Sequence, residues 1–159
     1  MELPRRRSPR IPDYDYATQG YYFVTVCTQG KRCIFWDGHE LNQFGKIAKS
    51  DLETLSDHYP RLRVDKCVVM PNHIHAIIVI GCDGKEGVLP DLSVVMGQYK
   101  SGVSRKIHKF QPAQRVWQRS YHDHGIRGQA DYEKIWQYID GNPQRWLKDC
   151  YYEEGNDAQ

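Results

Sequence analysis

Apolar and polar positions change their period several times along the chain, and each change marks an element. Gly20 to Thr28 (GYYFVTVCT) is aromatic and β-branched, which predicts a first strand. Gln29-Gly30-Lys31 reads as a turn, and Arg32 to Trp36 as a short extension. From Glu40 to Tyr59 the residues Leu41, Phe44, Ile47, Ala48, Leu52 and Leu55 recur three and four apart, the spacing of a helix. Arg61 to Met70 and His73 to Ile80 read as two more strands, joined through Pro71-Asn72. After a Gly-rich loop, Asp91 to about Lys109 forms a second helix, with Leu92, Val95, Met96, Tyr99, Val103 and Ile107 on one face. Asp91 can cap it, while Gly97 and Gly102 weaken it. Arg115 to Tyr121 predicts a fourth strand, and Gln129 to Gly141 a last helix.

The resulting order is β-α-β-β-α-β plus a final helix. It predicts an α+β, ferredoxin-like antiparallel sheet with helices on one face and the other face free. Length and composition agree: 159 residues, 40% hydrophobic, suit one domain with a proper core. We divide the chain into a basic arm (1–19), a folded domain (20–152) and an acidic tail (153–159). The longest apolar run, Ala76 to Ile80, is too short for a bilayer, and no signal peptide precedes the domain, so a cytoplasmic protein is expected. Five cysteines without a C-x-x-C pair point to reduced thiols.

The net charge of +2 hides an uneven distribution. Arg5, Arg6, Arg7 and Arg10 crowd the arm. Between Leu92 and His122 stand Lys100, Arg105, Lys106, Lys109, Arg115 and Arg119, with no acidic residue among them. Such a surface suits a phosphate backbone, although a solvated helix face would have the same composition.

The run Cys67 to Ile80 contains His73-Ile74-His75. Residues two apart on a strand share a face, so both imidazoles stand opposite Ile74 and can ligate one divalent cation. In the last helix, Tyr132, Ile135, Trp136 and Ile139 form one apolar stripe. Tyr138 falls roughly 110° from its centre, and Asn142 stacks one turn later on the same flank. A phenol and a carboxamide from a helix, with two imidazoles from a sheet, can make a metal site beside a nucleophile. Taken singly, each has a bland reading: half-buried histidines, a rim aromatic, and a helix-ending Asn before Pro143.

Several ordered segments resemble the REP-associated tyrosine transposases, a branch of the single-tyrosine, His-hydrophobe-His nucleases. They are Tyr21-Tyr22-Phe23-Val24-Thr25-Val26, Val68-Val69-Met70-Pro71-Asn72-His73-Ile74-His75, Tyr99-Lys100-Ser101, Trp117-Gln118-Arg119-Ser120-Tyr121 and Tyr138-Ile139-Asp140-Gly141-Asn142-Pro143. The resemblance implies a metal-dependent single-stranded DNA endonuclease and strand transferase acting at hairpin, REP-like palindromic DNA, nucleoid-associated when bound. It implies Tyr138 as nucleophile, forming a 5′-phosphotyrosine, and His73, His75 and Asn142 as metal ligands. Asn142 departs from the glutamine that related insertion-sequence transposases often carry there. This donor set suits Mg²⁺ or Mn²⁺ in a partly hydrated shell, and Zn²⁺ would bind too. Lys100, Arg105, Lys106 and Arg119 are candidates to neutralise phosphates, with the arm arginines clamping a hairpin stem, and Tyr16, Tyr21 or Trp117 to stack on unpaired bases. Relatives of this kind are monomers or helix-swapped homodimers. The alternative reading is a catalytically inactive hairpin-binding module, because the sheet is common among nucleic-acid binders. A metallohydrolase using water ranks last, since no downstream Asp-His pair completes a dinuclear site.

Overall fold

The computed structural model describes residues 19–148. In chain order its elements are β1 (Gly20–Cys27), β2 (Trp36–Asp37), β3 (Glu40–Leu41), α1 (Gln43–Glu53), α2 (Leu55–His58), β4 (Leu62–Met70), β5 (His73–Ile80), α3 (Leu92–His108), β6 (His122–Gly125) and α4 (Gln129–Asp140). Short 3₁₀ turns cover Gln29–Lys31 and Pro143–Lys148. The sheet order is β4-β5-β1-β6, with every neighbour antiparallel. This is the ferredoxin-like arrangement that the element order predicts.

Alternation along β5 divides the interior into two layers. Ile74, Ala76, Ile78 and Ile80 join Val24 and Val26 of β1 under α1 and α3, in a cluster that includes Leu52, Val95, Met96, Val103 and Ile107. Ile77 and Val79 point the other way and pack beneath Ile135 and Ile139 of α4. The second sheet face, expected to be free, is therefore partly covered. Ile77 and Val79 leave water because the helix that follows in the chain carries a matching apolar stripe.

Two local expectations change. The predicted helix over 40–59 starts late and breaks once. Glu40–Leu41 pairs with Trp36–Asp37 in a two-stranded ribbon around Gly38, whose φ is 66°. The helix begins only after Asn42, whose side-chain oxygen accepts from Gly45 N at 3.0 Å. It ends at Thr54, whose hydroxyl donates to Ser50 O at 2.9 Å, and one more turn follows. The fourth strand lies at His122–Gly125, not at 115–121. Trp117 makes an isolated bridge with Thr28, but the ladder then stops. Lys100 Nζ gathers the carbonyls of Gln118, Arg119 and Ser120 at 2.6, 3.2 and 3.5 Å. With these carbonyls turned towards one ammonium, regular pairing with β1 resumes only beyond them, at His122.

Gly45 marks where α1 meets the sheet. A methyl group there would press on the Phe35 carbonyl oxygen, which already accepts Asn42 N at 2.9 Å. We expect Gly45→Ala to lower stability by about 1–3 kcal/mol through overpacking, despite alanine's better helix preference. A urea midpoint equal to or above that of the parent chain would show that α1 shifts without cost.

Candidate functional site

The site is built where β5 begins. The Pro71-Asn72 turn is tied to β1: Thr28 N donates to Asn72 O at 3.0 Å, and the Thr28 hydroxyl does so at 3.1 Å. Asn72 Nδ2 donates to Lys31 O at 3.2 Å, which orients the amide and turns its oxygen to His73 Nδ1, 2.7 Å away. That oxygen can only accept, so Nδ1 carries the proton and Nε2 a lone pair. His75 Nδ1 meets the Thr25 hydroxyl at 2.8 Å. Both rings are thus held through one nitrogen in the manner of metal-bound histidines. Their centroids are 4.6 Å apart.

The imidazoles are 0% and 1% exposed. Their cover is aromatic: Phe23 lies 5.1 Å from the His75 ring, Tyr138 5.4 Å from it, and Trp146 stacks 6.3 Å from His73. Burial drives the His75 pKa from its usual 6.5 down to about 3. Burial, the neighbouring His75 and Lys31 push His73 well below its usual value too. Both rings are neutral at pH 7, the state that a metal ligand needs.

The same burial sets an acid limit. The folded pKa values lie below the unfolded one, so above pH 6.5 the pair costs nothing. Below it the unfolded chain takes up protons that the native chain refuses, and stability falls until the folded pKa is reached. For His75 the loss is roughly 1.4 kcal/mol per pH unit, or about 2 kcal/mol between pH 6.5 and 5. Urea titrations at pH 7 and 5 in chelator, with His75→Gln showing a shallower decline, check this. Equal slopes for both chains would refute it.

Helix α4 brings the phenol. Its stripe residues Ile135 and Ile139 are buried, while Tyr138 is half-buried and projects towards His75 and Phe23. Polar clasps hold the helix along β4. The Tyr132 hydroxyl donates to Asp65 at 2.8 Å, and Lys66 Nζ reaches Asp140 at 2.7 Å while lying 4.0 Å from the centre of the Trp136 ring. A bulge between Val64 and Lys66 shifts the register of β4 beside these contacts. Desolvation and the Asp65 carboxylate raise the Tyr132 pKa to about 12, so Tyr132 stays a hydrogen-bonded phenol. Arg145 crosses the Tyr138 ring at 5.3 Å and donates to Tyr138 O at 2.6 Å.

Asn142 follows one turn after Tyr138 and is 1% exposed. Its backbone is anchored to Ile139 O and Arg145 N. Neither atom of its side-chain amide finds a hydrogen bond among the described residues. Those residues contain no group of three or more His, Cys, Asp and Glu that could hold a cation. An orphaned buried amide, together with two pre-oriented imidazoles, fits a divalent ion with an N₂O protein set and water completing the shell.

The basic candidates divide. Lys100 is spent on the three carbonyls, and burial lowers its pKa. Lys106 pairs with Asp51 at 2.5 Å. Arg105 and Arg119 are exposed and, with His108 and Arg115, line a groove of about 810 Å³ beside Gln29 that holds no carboxylate. Trp117 is a packing residue: it contacts Phe35 and Tyr99, and its Nε1 donates to Lys100 O at 3.1 Å. Tyr21 packs edge-on against Tyr132. Arg5, Arg6, Arg7, Arg10, Tyr16 and the acidic tail lie outside the described residues.

The sequence reading missed Thr25 and Asn72, which orient the histidines, and a second His-x-His at His122 and His124 in β6. The spacing of that pair was the available signal. No helix among the described residues is long and apolar enough to cross a membrane.

Sheet order, the extra helix over the second face and the paired histidines define an α+β domain with the architecture expected from the motifs. The chain belongs to the IS200-like transposase family, whose model matches residues 17–142. A protein of Haemophilus influenzae, uncharacterised, is 34% identical over 94% of each chain. A candidate REP-associated tyrosine transposase of the same organism is 24% identical, over 81% of this chain and 73% of its own. Among solved structures, a REP-associated tyrosine transposase bound to a REP hairpin superposes with a TM-score of 0.59 at 20% identity, covering 96% of this chain and 76% of that one. A candidate transposase from Deinococcus radiodurans superposes with a TM-score of 0.53 at 15% identity, covering 83% and 97%. These likenesses agree with the resemblance to REP-associated tyrosine transposases, and the last two speak for the fold.

Proposed function

We propose that the protein cleaves and rejoins single-stranded DNA at hairpins, with Tyr138 as nucleophile. The observation that carries this reading is the approach of the Tyr138 ring to within 5.4 Å of the His75 ring, from a different element, beside a second pre-oriented imidazole. The Tyr138 oxygen bonds to phosphorus, the bond from phosphorus to the 3′-oxygen breaks, and the strand leaves with a 3′-hydroxyl. The phosphotyrosine keeps the energy of the phosphodiester, so another 3′-hydroxyl can reverse the step and join strands. His73, His75 and Asn142 would hold Mg²⁺ or Mn²⁺, which supplies Lewis-acid stabilisation of charge on the phosphate oxygens. Arg145 adds a fixed cation beside the phenol. Because Trp146 covers His73, DNA entry moves that ring aside.

The partner that fits is hairpin DNA of the REP type, as bound by the solved relative. The test is incubation with labelled hairpin DNA and Mn²⁺. A protein–DNA adduct that survives boiling in detergent supports a strand transferase. Binding without an adduct favours an inactive module, and free ends without an adduct favour hydrolysis by water. The groove beside Gln29 gives the backbone a path. Arg105→Ala and Arg119→Ala should each weaken hairpin binding and reduce the salt slope by about one. Lys106→Ala, whose charge is already paired, should change the slope by less. Equal slopes for all three would remove the groove from the binding surface.

A further inference from the structure

We propose that His122 gives a proton to the leaving 3′-oxygen when Tyr138 attacks, and takes a proton from the incoming 3′-hydroxyl when strands rejoin. The proposal rests on the reading of Tyr138 as nucleophile and supplies what that reading lacks, a group that manages the proton at the DNA oxygen.

The register places His122. In β1, Thr25 lies opposite His75 of β5 on one side and opposite His122 of β6 on the other. Directly opposed residues of antiparallel strands share a face. Two contacts confirm which face. Thr25 bonds His75, so it points to the histidine side. Phe23 touches both the His75 and the His124 rings, so His124 points there as well. His122 is two residues from His124 on the same strand and takes the same side. His75, Thr25 and His122 therefore form one row, with two strand spacings, ~10 Å, between the outer backbones. Unlike His73 and His75, His122 is half-buried, so water and substrate can reach it.

The row also has the direction that an in-line displacement needs. Helix α4 packs on β4 and β5, so Tyr138 approaches from the β5 side of the row. His122 stands on the β6 side. A phosphodiester lodged over Thr25 has the attacking phenol towards one end and an imidazole towards the other, where the leaving oxygen must be. The register sets Thr25 beside His122 with His75 beyond it on β5, and His124 lies two residues on along the same strand. Asp131 is engaged by His124 at 3.5 Å and by Arg127 N at 3.1 Å. As the oxygen–phosphorus bond breaks, its electron pair stays on the 3′-oxygen and takes the His122 ring proton. The phenol proton passes to water, and water restores the His122 proton. Rejoining runs the same transfers backwards.

The test compares two hairpin substrates in Mn²⁺, one with the natural 3′-oxygen at the cleaved link and one with sulfur in its place. A thiolate leaves without a proton, because a thiol's pKa of ~8.5 is far below that of an alcohol. His122→Ala should slow adduct formation on the oxygen substrate by about 10²–10³-fold, in the range of general acid catalysis, and on the sulfur substrate by less than about tenfold. His122→Asn, which keeps a polar side chain on the strand, should show the same split, with hairpin affinity and melting temperature unchanged in both variants. Equal losses on the two substrates, or no loss on the oxygen one, overturn the proposal and leave His122 a structural residue. Failure of the unmodified chain to form an adduct with either substrate overturns the reading of Tyr138, and this proposal with it.

Discussion

Tyr138→Phe should abolish the covalent protein–DNA adduct and lower strand cleavage by at least about 10⁴-fold, the scale on which loss of a nucleophile is felt. The substitution removes one oxygen. The phenylalanine ring keeps the contacts with Phe23, His75 and the Arg145 guanidinium, so melting temperature and hairpin affinity stay near those of the parent chain. That separation gives the experiment its force. A detergent-resistant adduct in the Tyr138→Phe chain would mean that another residue attacks. Tyr132 is a poor substitute, since its phenol is bound to Asp65 and titrates at about 12.

Loss of one imidazole is the second large effect. His75→Ala should reduce cleavage by about 10²–10³-fold, comparable to removing a group that stabilises transition-state charge. It also deletes a ring that packs on Phe23 and Tyr138, so some stability goes with it. Two companions separate these causes. A chelator should silence the parent chain, with added Mn²⁺ restoring it. Thr25→Val keeps the ring but removes the hydrogen bond at Nδ1, and should weaken metal affinity by about 10–100-fold at nearly unchanged packing. If cleavage by the parent chain proceeds undiminished in chelator, the histidines do not serve a cation.

Much of the fold is legible because burial imposes a period on the chain. The alternation through Phe23, Val24, Thr25 and Val26, the two-sided apolar run Ile77 to Ile80, and the stripe from Leu92 to Ile107 each announce an element. Asp91 caps α3 as its position suggests, accepting from Ser93 N and Val94 N. Failures occur where pairing is decided by something distant. His122–Gly125 has no apolar alternation, so it does not read as a strand; it becomes one because β1 has an open edge beside it. Val116 and Trp117 look like strand residues, yet their segment is drawn aside by the Lys100 ammonium, eighteen residues back from Gln118.

The candidate site divides in the same way. That His73 and His75 share a sheet face, and Tyr138 and Asn142 a helix flank, is readable from spacing, because a strand and a helix each force fixed offsets to one side. Their environment was not. Local sequence contains no term for the aromatic cover that holds both imidazoles neutral, for Thr25 and Asn72 as their hydrogen-bond partners, or for the spending of Lys100 on main-chain carbonyls. Residue order by itself determined which elements form, which side chains share a face, and which family the chain joins, since these follow from periods of two and 3.6 and from motif order. Only the packed structure decided that α4 closes over the second sheet face, that the phenol meets the imidazoles, and that a third imidazole stands across Thr25. Those outcomes depend on contacts between segments far apart in the chain, and no local pattern encodes them.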